Sequence, residues 1–143
     1  MRVNEVKRVT RETDVCISLN LDGNGKTEIS TGIGFFDHML TALAVHGGFD
    51  LVVKTKGDLE VDCHHTIEDT AIVLGDAFLS CIGDKKGINR YGSAFVPMDE
   101  ALGFVSLDIS GRPYLVFDAS FTADRMGDFD TQMVIEFFRA FAF

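Results

Sequence analysis

The sequence predicts an α+β domain built from a duplicated β-β-α unit whose second copy is incomplete. Three observations indicate this fold class. Alternating apolar and polar residues predict strands, and apolar residues spaced three and four apart predict helices. The six residues from Ser18 resemble the six residues from Ser106, which lie 88 positions later. A chain of 143 residues is one ordinary domain and is long enough to bury a hydrophobic core.

Composition and charge exclude several classes of partner. The chain has 13 Lys and Arg against 22 Asp and Glu, a net charge of −9, and this field disfavours nucleic acids and anionic membranes. No apolar run approaches the roughly 20 residues that span a bilayer. The N-terminus lacks the apolar region of a signal peptide. Three cysteines without paired spacing indicate reduced thiols, so a cytoplasmic protein is expected.

The first unit is predicted to begin with a hairpin and a helix. Apolar and polar residues alternate over residues 15–21, which predicts a strand. A turn at residues 22–25 then leads to the second strand of a hairpin at residues 28–30. Asp37 is placed to cap a helix that ends at Gly47.

Two strands and a longer helix follow in the first unit. Residues 51–56 and 59–62 are predicted strands, separated by a turn that contains Gly57. The second helix begins at His64, carries an apolar stripe and ends at Gly83.

The second unit is shorter than the first. It is predicted to contain three strands, at residues 95–96, 102–109 and 114–121. Asp130 is predicted to cap its helix. Within a single domain spanning the chain, residues 1–92 form the first repeat with a flanking loop, and residues 93–143 form the incomplete second repeat. No counterpart of residues 50–85 follows, so we expect a truncated chain.

The strongest chemical signal is the segment CHHTIED at residues 63–69. His64 and Glu68 are four residues apart and therefore share one helix face. Imidazole and carboxylate groups are ligands for Mn, Fe or Zn. His64 and His65 project about 100° apart, so they suit two metals, or one metal and one orienting role. The alternative is a solvated helix start with no ligand.

All four histidines lie between residues 38 and 65. His38 and His46 are on the preceding predicted helix, where both are able to flank one pocket. Asp37 either orients His38 or caps the helix. His46 has an alternative role at the helix C-terminus, where a cation is favoured. The clustering favours a site that binds metal or imidazole.

Three further charged residues are candidates. Arg90 and Arg112 lie in glycine-containing loops, and arginine suits phosphate because its planar fork donates two hydrogen bonds. An ordinary surface ion pair is the alternative for each. Glu12 precedes the first predicted strand, and taken alone it is a solvent-facing residue.

Seven segments, in this order, resemble imidazoleglycerol-phosphate dehydratase, a lyase of histidine biosynthesis. They are RVTRET at 8–13, TGIGFFDHMLTALAVHGGFDL at 31–51, GDLEVDCHHTIEDTAIVLG at 57–75, INRYG at 88–92, PMDEAL at 97–102, DISGRPYL at 108–115 and FDTQMVIEFFRAFAF at 129–143. The resemblance runs from near the N-terminus to the last residue. It implies duplicated units whose helices are sandwiched between two sheets, in agreement with the repeat.

The resemblance also implies a cofactor and a set of site residues. Four residues correspond to metal ligands that also contact substrate: His38, His64, His65 and Glu68. The metal is Mn(II), two ions per complete active site, at subunit interfaces of a homo-oligomer with twenty-four subunits. Five residues correspond to other substrate contacts: Glu12, Met39, His46, Arg90 and Arg112. The family's remaining ligands correspond to positions after Phe143.

The implied reaction is Mn-dependent dehydration of D-erythro-imidazole glycerol phosphate to imidazole acetol phosphate, through a metal-stabilised imidazolate. Glu12 is expected to handle a proton at the glycerol chain. The expected partners are this small phosphate substrate and other copies of the chain, with neither nucleic acid nor membrane. Two alternatives remain: a mononuclear His/Glu metallohydrolase that uses Zn-bound water, and an inactive truncated fragment that assembles through its Phe-rich end.

Overall fold

A four-stranded sheet forms one layer of the computed structural model, which describes residues 1–143. Its strands are β1 (Val3–Val9), β2 (Thr13–Asn20), β3 (Thr27–Ser30) and β4 (Asp50–Gly57). The strand order is β1-β2-β4-β3, with β2 antiparallel to both neighbours and β3 parallel to β4. Along β2 the side chains of Val15, Ile17 and Leu19 are fully buried and alternate with partly exposed ones. The predicted strand is therefore confirmed, with one apolar face.

The chain contains three helices, α1 (Gly34–Gly47), α2 (His64–Ile82) and α3 (Met133–Ala142). Helices α1 and α2 cover the apolar side of the sheet, and α3 packs against α2. The predicted helix from His64 to Gly83 is confirmed, and its stripe of Ile67, Ala71 and Leu74 is fully buried. The α+β class is likewise confirmed.

Aromatic side chains join the three helices. Phe78 of α2 contacts Phe141 of α3 edge to face, with ring centroids 5.4 Å apart. Phe36 of α1 contacts Phe137 of α3 in the same manner at 5.6 Å. These contacts add geometric preference to the apolar area that the rings bury, so the end of the chain packs into the core.

A separate hairpin repeats the geometry of the first two strands. It consists of β5 (Tyr91–Met98) and β6 (Ala101–Asp108). Every cross-strand pair of β1 and β2 recurs 88 residues later; Val3 opposite Asn20, for example, becomes Tyr91 opposite Asp108. This coincidence supports the predicted duplication. All residues of β5 and β6 are exposed, however, and the stacked rings of Phe95 and Phe104 face solvent.

The predicted hairpin between residues 15–21 and 28–30 is wrong. The second segment forms β3, which pairs in parallel with β4 and not with β2. The reason lies in Asp50, whose Oδ1 accepts the backbone N–H groups of Asn24 and Lys26 at 2.9 and 3.0 Å. These bonds hold the turn beside the start of β4, so the chain continues along that strand's free edge.

Two other predicted strands are also wrong. Residues 59–62 form a turn, in which the N–H of Val61 donates to the carbonyl of Asp58, and no strand lies beside them. Residues 114–121 form no ladder, and Tyr114 and Val116 are about four-fifths exposed. A segment with alternating apolar residues forms part of a sheet only when a neighbouring strand pairs with it. The segments of residues 95–96 and 102–109 do form β5 and β6, and the first of these strands is longer than predicted.

The capping role predicted for Asp37 is wrong as well. Helix α1 begins three residues earlier, at Gly34, and Asp37 lies in its first turn. There its Oδ1 accepts the backbone N–H and the hydroxyl of Thr31. Asp130 likewise precedes α3 without capping it, because its Oδ1 accepts the N–H of Gln132 before the helix starts. Finally, none of the three helices is long and apolar enough to cross a membrane.

Candidate active site

The first turn of α2 presents two imidazoles in succession. Asp62 accepts the backbone N–H of His64 at 2.7 Å, which satisfies one of the free donors at the helix start. The Nε2 atom of His64 lies 3.6 Å from Oε2 of Glu68, and both side chains are about 40% exposed. The predicted sharing of one helix face is confirmed, and the imidazole and carboxylate face each other at the surface.

The neighbouring imidazole of His65 points to a different carboxylate. Its Nδ1 lies 2.9 Å from Oδ2 of Asp58. This hydrogen bond raises the pKa of His65, burial partly opposes the effect, and the charges of Asp58, Glu12 and Asp62 reinforce it. Because Nδ1 is engaged by Asp58, Nε2 is the nitrogen of His65 that remains available.

No sequence pattern indicates the role of Asp58, which lies in the predicted turn after residues 51–56. The acid precedes His65 by seven residues across an irregular loop, and no fixed spacing links such a pair. The ring centroids of His64 and His65 are 6.0 Å apart, the ring planes differ by 51°, and the two rings contact different carboxylates. The helix start therefore holds two independent imidazole–carboxylate pairs.

Glu12 lies in the three-residue connection between β1 and β2. Its backbone N–H donates to Oγ1 of Thr10 at 3.1 Å, and its own side chain is exposed. Its charge contributes to the raised pKa of His65, so the carboxylate is within electrostatic reach of that imidazole. The structure thus brings Glu12 to the end of the sheet where α2 begins.

The candidates on α1 are exposed and separated. His38 and Met39 lie near the start of the helix and His46 lies in its last turn. Eight residues of helix separate the two histidines by about 12 Å along the axis. The segment just before α1 is close to the loop that precedes α2, because a Cβ on Gly32 would approach a Leu59 methyl carbon within 2.7 Å. His38 is near the end of α1 that is closer to that loop, and His46 is near the opposite end.

Arg90 lies at the base of the β5–β6 hairpin, and Arg112 lies in the loop that follows β6. Arg90 donates to both oxygens of Asp108, at 2.7 and 3.2 Å, and its guanidinium lies 5.0 Å from the Tyr91 ring centre. Arg90 lowers the pKa of Asp108, and the charge of Arg112 adds to this. The surface ion pair considered as an alternative is therefore present for Arg90.

The donor chemistry fits a divalent metal, but the donors are divided. No group of three or more His, Cys, Asp or Glu side chains converges on one point in the structure. The pair of His64 and Glu68 offers one nitrogen and one carboxylate, the ligand types that suit Mn, Fe or Zn. The four predicted ligands therefore do not converge in the structure, since His38 lies on α1 and the other three lie on α2.

Comparison with known proteins identifies the family to which the chain is similar. The sequence profile of the imidazoleglycerol-phosphate dehydratase family matches residues 31–143. Imidazoleglycerol-phosphate dehydratase of Acetivibrio thermocellus is 63% identical over 139 residues, which cover 97% of this chain and 71% of that protein. The enzyme of Caldanaerobacter subterraneus subsp. tengcongensis is 63% identical over 143 residues, covering 100% and 74%.

The fold agrees as well. The crystal structure of imidazoleglycerol-phosphate dehydratase from Staphylococcus aureus superimposes with a TM-score of 0.86 at 43% sequence identity. The match covers 98% of this chain and 77% of that one. With this sequence identity over nearly the whole chain, the two proteins share more than a fold. The chain belongs to the imidazoleglycerol-phosphate dehydratase family, the hydro-lyases of histidine biosynthesis.

Proposed function

We propose that the protein catalyses the Mn(II)-dependent dehydration of D-erythro-imidazole glycerol phosphate to imidazole acetol phosphate. The observation that carries the proposal is the pair of imidazole–carboxylate contacts on consecutive residues of α2, His64 with Glu68 and His65 with Asp58. Two independent donor pairs suit a substrate whose imidazole ring has two nitrogen atoms. Family membership supplies the reaction class.

Four residues would hold the metal, and they are the predicted ligands His38, His64, His65 and Glu68. When bound, Mn(II) supplies Lewis-acid charge that stabilises negative charge on the imidazole ring of the substrate. Asp58 accepts the Nδ1 hydrogen of His65 and so fixes the ring with Nε2 outward, as carboxylates do behind many metal-binding histidines.

Loss of water removes a hydroxyl group and a carbon-bound proton from the glycerol chain. We assign the proton transfer to Glu12, which corresponds by resemblance to an acid of the family's site and whose side chain is exposed in the turn before β2. General acid–base help of this kind contributes about 10²–10⁴ in rate. Replacing Glu12 with Gln should therefore lower kcat by that factor while metal content stays unchanged.

The remaining contacts serve binding. Arg90 and Arg112 would take the phosphate, because arginine donates two parallel hydrogen bonds to such an anion. Arg90 already holds Asp108 in this bidentate manner, so the phosphate would have to replace that carboxylate. Met39 and His46 are exposed along α1 and would line the substrate pocket.

The donor groups that this fold brings together do not complete a metal site, so further donors are required. By the family resemblance, the remaining ligands correspond to positions after Phe143, and the complete sites would lie between subunits of a homo-oligomer, with twenty-four subunits as the expected size. The three cysteines are free thiols, which is compatible with the reducing conditions of the cytoplasm.

Native mass spectrometry with and without Mn(II) tests the proposal, because one spectrum reports assembly size and bound metal. The expected result is a large homo-oligomer with two Mn(II) ions per complete site. The His64→Ala variant should lose one of the two ions. A small assembly that binds one Zn per chain and turns over no imidazole substrate would instead favour a mononuclear metallohydrolase.

A further inference from the structure

A buried acid, Asp69, connects the helix that carries the candidate ligands to the turn that carries Glu12. Asp69 directly follows Glu68, but it points toward the sheet, and its side chain is 11% exposed. One carboxylate oxygen accepts the hydroxyl of Thr13, and the other lies 2.5 Å from Nη1 of Arg8. Each partner is on a strand next to the turn, Arg8 on β1 and Thr13 on β2.

The direction of each hydrogen bond from Asp69 to Glu12 follows from simple chemistry. An ionised carboxylate only accepts, so the Thr13 hydroxyl donates its hydrogen to Asp69. The Thr10 hydroxyl, 3.2 Å from the Thr13 hydroxyl oxygen, must then donate to it. Oγ1 of Thr10 in turn accepts the backbone N–H groups of Glu12, at 3.1 Å, and Thr13, at 3.0 Å.

This chain of bonds fixes the backbone of an exposed residue from a buried anchor. Glu12 itself has a long, solvent-exposed side chain, and its turn lies at the edge of the protein. Without such bonds a turn of this kind samples several conformations. With them, the Glu12 amide is held relative to α2, the helix that presents His65.

We propose that Asp69 is a positioning residue for Glu12, acting through the hydroxyls of Thr13 and Thr10. The inference rests on the proposed function, in which Glu12 transfers a proton. Asp69 does not touch the substrate in this role. It determines where the Glu12 carboxylate stands relative to the imidazoles at the start of α2.

Thr13→Val removes the central hydroxyl at nearly constant volume, and the chain offers a matched control. Thr55 of β4 is also buried, and its hydroxyl lies 2.9 Å from that of Thr70 on α2. Thr55→Val therefore removes a hydroxyl from the same sheet–helix contact without touching the turn. Thr13→Ser retains the hydroxyl and serves as the rescue variant.

Amide hydrogen exchange tests the anchoring without requiring catalysis. In Thr13→Val the amides of Glu12 and Thr13 should exchange about tenfold faster than in the unmodified protein. Thr55→Val and Thr13→Ser should leave these two rates unchanged. Equal exchange at Glu12 in all four proteins would overturn the inference.

Kinetics test the catalytic consequence. Thr13→Val should lower kcat about tenfold or more with KM little changed, Thr13→Ser should restore it, and Thr55→Val should behave like the unmodified enzyme. In a Glu12→Gln background, Thr13→Val should cause no further loss, because both changes act on one group.

The outcomes separate this inference from the proposed function. If Glu12→Gln lowers kcat but Thr13→Val only matches Thr55→Val, the role of Asp69 is wrong and that of Glu12 stands. If Glu12→Gln leaves kcat unchanged, the proposed role of Glu12 is wrong, and the positioning role is overturned with it.

Discussion

The Nδ1 atom of His65 lies 2.9 Å from Oδ2 of Asp58, and this contact joins the helix start to the loop before it. The pair leaves Nε2 of the imidazole as its available nitrogen. It also raises the pKa of His65 above its ordinary value of 6.5. A histidine must be neutral to bind metal. The contact that orients the ring therefore also makes protons compete more strongly with a metal ion for His65.

The contact predicts a specific pH dependence. Because the pKa of His65 is raised in the folded protein, its protonated form with Asp58 stabilises the fold to the full extent below about pH 6.5. This stabilisation is lost as the pH rises through the folded-state pKa of His65. Metal affinity should change in the opposite sense and weaken as pH falls through that pKa. NMR titration of the metal-free protein should show His65 titrating above 6.5. Asp58→Asn should lower that midpoint, while the control Asp84→Asn should not.

Asp58→Asn should also weaken Mn(II) binding by about 10–100-fold, the usual cost of removing a carboxylate behind a metal-binding histidine. Isothermal titration at a fixed pH above the His65 midpoint separates this effect from proton competition. Asp84 pairs with Lys86 on an exposed loop, so Asp84→Asn is the matched control and should bind normally. Unchanged affinity in Asp58→Asn would remove His65 from the ligand set.

Gly75 allows α3 to approach α2 closely. A Cβ at this position would lie 2.6 Å from the carbonyl oxygen of Phe141, so Gly75→Ala should force the helices apart. We expect a loss of about 1–3 kcal/mol in the free energy of unfolding. Gly34→Ala is the control, since nothing lies within 4 Å of its Cβ position and alanine favours helix. If urea unfolding shows that Gly75→Ala is as stable as Gly34→Ala, the close approach of α3 to α2 at Gly75 is contradicted.

The β5–β6 hairpin should open far more readily than the main sheet. All its residues are exposed, whereas alternate residues of β2 are fully buried beneath α2. An isolated two-stranded hairpin is only marginally stable in water. Hydrogen exchange measured by mass spectrometry should therefore show peptides from β5 and β6 exchanging orders of magnitude faster than those from β2 and β4. Equal protection would indicate that the hairpin is covered in solution.

Local signals in the sequence predicted the helices better than the pairing of strands. The i, i+4 relation of His64 and Glu68 depends only on helix geometry, and it is present. The pairing of residues 28–30 with β4 depends on Asp50, a residue more than twenty positions away, which holds the preceding turn. No periodicity near residue 28 carries that information.

The same distinction applies to the site. Asp58 and Asp69 contact their partners through the fold, across a loop and across 56 residues respectively. Neither contact has a sequence pattern. The roles of Glu12, His38, Arg90 and Arg112 are implied by the family resemblance and remain predictions. The division of the domain at residues 92 and 93 also remains a prediction, although the matching register of the two hairpins supports it.

The proposed activity is measured directly as formation of imidazole acetol phosphate from D-erythro-imidazole glycerol phosphate. The protein would first be treated with a chelator, then assayed before and after Mn(II) is restored, alongside His64→Ala. We expect no product without metal, recovery with Mn(II), and no recovery in the variant. Product formation that is indifferent to chelation, or no product from protein shown to hold two Mn(II) per complete site, would contradict the proposed function.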